Sequence, residues 1–82
     1  MEVKIPAATQ LGEVLQGWRK ERKLTQAQLG AKVGLSQVAV SHLEQAPEKT
    51  SVERLFRLLS ALEVDLVLRD RASSSGDSES SW

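Results

Sequence analysis

Residues 25–44 read "TQAQLGAKVGLSQVAVSHLE", and the fold turns on them. Thr25 is followed three positions on by Gln28, the spacing of a capping box. The threonine hydroxyl takes the free amide of Gln28, and the Gln28 side chain reaches back. The helix so opened, "QAQLGAKV", is short, and Gly34 stands where a residue of left-handed conformation ends it. Ser36 is the next good N-cap and opens "QVAVSHLEQ". Pro47 forbids that second helix from continuing.

Two short helices joined by a turn of about four residues with a glycine have the outline of a helix-turn-helix. Gly30 sits mid-helix, where a side chain would hold the following helix away. Leu29 and Val33 face the core, Leu35 plugs the turn, and Val40 and Leu43 anchor the second helix from beneath. The opposite face of that helix carries Gln37, Val38, Ser41 and His42. The first residues of such a helix enter a DNA major groove. A glutamine there offers paired bonds to adenine N6 and N7, a valine meets a thymine methyl, and a serine donates or accepts. The candidate base contacts are Ser36, Gln37, Val38 and Ser41. The candidate phosphate contacts are Thr25, Gln26, Lys32, His42 and Lys49. The helix amino ends at Thr25 and Ser36 add outward-pointing amides suited to phosphate. Glu44 is read as a brace between helices rather than an acid. A capped helix pair is also a plain structural unit of all-helical domains, so periodicity alone leaves that reading open.

Outward from this unit, Leu11, Val14, Leu15 and Trp18 recur at helical spacing, predicting a first helix that begins after Thr9 and ends near Arg22 to Lys23. Gly12 and Gly17 weaken it by up to ~1 kcal/mol each relative to alanine. On the other side, Thr50 with Glu53 reads as a second capping box. It opens "SVERLFRLLSAL", with Val52, Leu55, Phe56, Leu59 and Leu62 on one stripe. The period then changes to two in "VDLVLRD", which reads as a strand over residues 64–70, and "EVKIP" is a second short strand candidate. From Ala72 onward serine, glycine and acids dominate, a composition that cannot bury a core, ending in Trp82. The expected segments are a leader over 1–8, a helical domain over 9–63, a dimerisation strand over 64–71 and a disordered tail over 72–82.

The formal net charge is zero, with 11 cations and 11 acids, so the total names no partner. The distribution is uneven: Arg19, Lys20, Arg22 and Lys23 cluster, while most acids come later. This suits either a solvated helix end or a nucleic-acid face. There is no cysteine, which excludes disulfides and thiolate metal sites. His42 is the single histidine, so no metal and no cofactor are expected, and no residues support an enzyme. The scarcity of aromatic rings argues against single-strand or RNA reading. No apolar run is long enough for a membrane span and the amino end lacks a signal-peptide layout, so the expected compartment is the cytoplasm.

The stretch over residues 25–44 resembles the XRE/Cro-type helix-turn-helix family. The match rests on Thr25, Gln26, Leu29, Gly34, Leu35, Ser36, Val40, Ser41 and Glu44, with Gly30 replacing the usual alanine. The resemblance implies an all-α fold of four to five short helices, lambda-repressor-like, that binds double-stranded DNA. To this the alternation over residues 64–70 adds a short C-terminal β-strand pairing across a dimer through Val64, Leu66 and Leu68. A symmetric pair presents two reading helices about 34 Å apart, suited to a palindromic operator. Pairing of the strand within the chain against residues 3–5 is the alternative.

The order of parts, closed by Trp82, is similar to HipB-type antitoxins. That resemblance implies a homodimer that represses its own operon, sequesters a HipA-like serine/threonine kinase toxin and docks Trp82 on it. A tether of this length reaches up to ~36 Å. Its apolar tip suits a pocket on a partner; the alternative is that Trp82 folds back on its own domain or has no role. A free-standing XRE-type repressor with no toxin, and a protein-binding adaptor that never meets DNA, remain the competing functions.

Overall fold

The computed structural model describes residues 2–72. Among these it holds four α-helices and one 3-10 turn: α1 (Ala8–Glu21), α2 (Gln26–Val33), α3 (Gln37–Gln45), the turn Pro47–Lys49, and α4 (Val52–Ala61). The expected two-helix unit is present with its expected bounds. Thr25 accepts the Gln28 amide at 3.0 Å while the Gln28 side chain accepts the Thr25 amide at 2.9 Å. Gly34 ends α2 at φ +74°, a conformation that costs glycine nothing and other residues a steric penalty. Ser36 caps α3 by accepting the Ala39 amide at 3.1 Å. Gly30 is required by close approach. A Cβ there would run into the Leu35 carbonyl oxygen and stand 3.3 Å from that of Ser36. The obstacle is the turn itself rather than the body of the following helix.

Leu15, Leu29, Val40, Leu43, Leu58, Leu59 and Leu62 form the core, with Leu11, Trp18, Leu24, Val33, Leu35 and Leu55 packed around it. Helix α3 packs on both α1 and α2, and α2 also packs on α4. Helix α3 is therefore clamped from two sides, which fixes its direction relative to the rest of the chain.

Three details differ from the sequence reading. Helix α1 starts at Ala8, with no side-chain cap at Ala7, so Thr9 lies inside it. Helix α4 is capped by Ser51, which accepts the Arg54 amide at 3.1 Å, and not by Thr50. Thr50 is engaged in closing the preceding turn, its amide donating to the Pro47 carbonyl at 3.2 Å. The buried stripe of α4 is Leu58, Leu59 and Leu62, with Leu55 half-buried, whereas Val52 and Phe56 are 66% and 52% exposed.

Residues 64–70 form neither helix nor ladder among the described residues, and neither do residues 3–5. The two segments are nonetheless tied, since the Arg69 guanidinium donates to both Glu2 carboxylate oxygens at 3.0 and 3.3 Å. Leu66, Val67 and Leu68 are exposed, Leu68 to 87%. Trp82 and the rest of the expected tail beyond Ala72 lie outside the described residues.

Candidate nucleic-acid interface

The amino end of α3 carries Gln37 and Val38 on its surface, Val38 58% exposed. These are the first two helical residues, whose amides have no intrahelical acceptor. Ser36 stands beside them, its hydroxyl already accepting the Ala39 amide, so it has one proton left to offer. Ser41, one turn further, is half-buried and accepts a bond from the Gln45 side chain at 3.3 Å. His42 is exposed.

A groove of about 580 Å³ runs between α3, the 3-10 turn and the start of α4, and its walls include Ser36, Val38, His42, Lys49, Ser51 and Arg54. It thus brings together two expected base contacts and two expected phosphate contacts. Arg54 is an addition that the sequence reading missed. The signal was present: it is the residue whose amide the N-cap serine takes, in the first turn of a helix beginning beside Lys49. Lys49, Arg54 and His42 thus share the lining of one groove. Lys32 is exposed on the last turn of α2, away from the groove's walls.

On the other flank of Gln37, polar side chains are wired to the interior. The Gln37 amide nitrogen donates to Gln26 Oε1 at 2.8 Å, and the Gln26 amide nitrogen donates to Glu44 Oε1 at 3.0 Å. Glu44 is buried and takes Arg19 Nε on Oε2 at 2.7 Å and Arg19 Nη2 on Oε1 at 3.2 Å. Arg19 Nη1 donates to the Leu24 carbonyl at 2.8 Å. Two expectations change in consequence. Glu44 is a brace, as read, but Arg19 belongs inside with it rather than to the basic surface cluster. The Gln26 side chain is engaged between Glu44 and Gln37, which leaves its backbone amide as the group it can turn to a phosphate. The pair is costly to break: removing one partner of a buried ion pair typically costs ~3–5 kcal/mol, because the other is left charged and alone.

Among the described residues no helix is long and apolar enough to cross a membrane. Exposed Phe56 and Leu66 lie elsewhere. Phe56, Leu59, Ser60, Val64, Asp65 and Leu66 line a shallow cleft of about 240 Å³ at the end of α4.

Compared with known proteins, the sequence matches the family described as helix-turn-helix over residues 15–68. It is 32% identical over 75 residues to Antitoxin HipB of Escherichia coli (strain K12), an alignment covering 92% of this chain and 85% of that protein. Against Antitoxin HipB of Escherichia coli O6:H1 it is 33% identical over 72 residues, covering 88% and 77%. Among solved structures, a chain of the HipA-HipB-O2-O3 complex superposes with a TM-score of 0.79 at 31% identity, over 85% of this chain and 99% of that one. A chain of the HipB-O4 20mer complex matches with the same TM-score of 0.79, also at 31% identity and over 85% and 99% of the two chains.

Proposed function

Because the chain belongs to the helix-turn-helix family and, within it, to the HipB antitoxins, we propose that it is a sequence-specific DNA-binding repressor. In this reading it autoregulates its operon as a dimer and restrains a HipA-like serine/threonine kinase toxin in the cytoplasm. The family is not an enzyme class. The observation that carries the reading is the uncovered amino end of α3, with Gln37 and Val38 projecting beside a groove walled by His42, Lys49 and Arg54. Relatives solved in HipA-HipB-O2-O3 and HipB-O4 20mer complexes support it.

Each residue takes a role from its place. Gln37 and Val38 meet base edges in the major groove, with Ser36 and Ser41 at the margins. Lys32, His42, Lys49 and the helix ends at Thr25 and Gln26 meet phosphates, joined by Arg54. Residues 64–70 of two subunits pair as strands across a twofold axis. Ladder bonds between the two strands satisfy their backbone groups, and Val52, Phe56, Leu66 and Leu68 gain cover. Trp82 is the candidate anchor for the kinase.

The test is a titration of the duplex upstream of the chain's own gene against a scrambled duplex, repeated across salt concentrations. Tight binding to the first, falling steeply with salt as condensed ions are released, is the expected result. Equal binding to both duplexes at every salt concentration would end the repressor reading. Deletion of residues 73–82 should leave DNA binding intact and abolish copurification with the kinase.

A further inference from the structure

We propose that the leader, residues 2–5, is the outer strand of the dimer's sheet. It pairs antiparallel with residues 66–69 of its own chain, Glu2 opposite Arg69, and occupies the edge that the twofold mate leaves open. The proposal rests on the reading above that residues 64–70 pair across a twofold axis.

A strand has two edges, and a twofold mate takes one of them. An open edge is a template for unwanted association. The structure places one segment of the chain beside it. Arg69 Nη2 donates to both Glu2 carboxylate oxygens, at 3.0 and 3.3 Å, across 67 residues of sequence. At the opposite end, Leu11 in the first turn of α1 and Val64 just past α4 pack on the same core cluster. Residues 2–7 and 64–69 thus run between shared ends, and each extended segment spans about 20 Å. Equal lengths tied at both ends fit two antiparallel strands. Ala7, where the leader meets α1, is extended at φ −138° and ψ 145°.

Glu2 opposite Arg69 sets the register, and the side chains agree with it. Val3 falls opposite Leu68, Ile5 opposite Leu66 and Ala7 opposite Val64, so one face is apolar throughout. On the other face Lys4 stands diagonal to Asp65, an opposite charge. A slip of one residue would set Val3 against Arg69 or Ile5 against Asp65. Exposure rises outward along both segments. Ile5 and Val64 are half-buried, Val3 is 39% exposed, Leu66 52% and Leu68 87%. Two short strands alone are marginal in water, so a single chain holds the tie without the ladder, and the mate's strand completes the sheet. The leader also has the make-up of an outermost strand. It is short, it carries Lys4, and it stops at Pro6, which has no amide to donate.

The chain has no cysteine, so paired substitutions give a clean disulfide test. Val3→Cys with Leu68→Cys should close an intrachain bond in the oxidised dimer. Lys4→Cys with Leu68→Cys, on opposite faces, should not. Removing residues 2–5 should raise the dimer dissociation constant about tenfold by sedimentation, since two apolar cross-strand pairs and one charged pair are lost. Helical content by circular dichroism should stay the same. If both cysteine pairs oxidise alike, or if residue 3 bonds only to residue 68 of the other subunit, the assignment of the leader to its own chain is overturned. An unchanged dissociation constant in the truncated chain overturns it too. A wild type that stays monomeric at every concentration ends the dimer reading itself, and this proposal with it.

Discussion

Gly12 and Gly17 lie five residues apart in α1 and differ in what surrounds them. A Cβ on Gly12 would run into the Glu44 carbonyl oxygen and stand 3.3 Å from Pro47 Cδ, whereas a Cβ on Gly17 would meet nothing within 4 Å. Gly17→Ala should therefore raise stability by about 0.5–1 kcal/mol, the helix-propensity difference. Gly12→Ala should lower it by about 1–3 kcal/mol through overpacking against α3. Urea unfolding of the two variants checks both signs. Among surface residues, Val38→Ala should weaken operator binding by ~1–3 kcal/mol and leave nonspecific DNA binding nearly unchanged. Paired titrations on operator and scrambled duplex separate those quantities. Arg19 shows why the sequence alone misplaced one cation. Gly12, Leu15 and Arg19 form the buried line of α1, so the arginine occupies an apolar stripe. Nothing local explains a charge there; its partner, Glu44, is 25 residues away.

At the scale of elements, start and stop signals were legible wherever one residue could supply them. Thr25, Gly34, Ser36 and Pro47 each have one structural use, and α2 and α3 carry the bounds read from them. The cap of α4 was misread because Thr50 and Ser51 are adjacent hydroxyls, and Glu53 completed a box pattern with the wrong one. The intervening 3-10 turn, which ends at Lys49 and draws in the Thr50 amide, shifts the register by one. Ser51→Ala should accordingly cost about 1 kcal/mol, and Thr50→Ala clearly less; thermal melts of both rank them. Helices α1 and α4 are left alike, through Lys23 and Glu63 two residues beyond their ends, each at φ +58°. In both, two amides turn back onto the last turn: Lys23 to Lys20 and Leu24 to Arg19, then Glu63 to Ser60 and Val64 to Leu59. Non-glycine residues pay a strain of about 1 kcal/mol there, which no sequence pattern announces. Lys23→Gly should stabilise the fold in the same assay.

At the scale of the molecule, the division of apolar side chains on α4 matters most. Leu58, Leu59 and Leu62 fill the core that one chain can build, while Val52 and Phe56 stay exposed with Leu66, Val67 and Leu68. The sequence reading placed Val52 and Phe56 inside because helical spacing marks an apolar arc without saying which neighbour covers it. A second subunit is the occupant our reading assigns. Phe56→Glu should shift sedimentation toward monomer and, by separating the two reading helices, weaken operator binding far more than nonspecific binding. A Phe56→Glu chain that stays dimeric would remove this face from the assembly.

The central claim is that DNA meets the amino end of α3 and the groove beside it. An NMR titration of labelled protein with its upstream duplex tests this most directly. The account requires the largest amide shifts at Thr25 and Gln26, from Ser36 to His42, and from Lys49 to Arg54. Shifts confined to other surfaces, or none at a concentration where the duplex is bound, would contradict it.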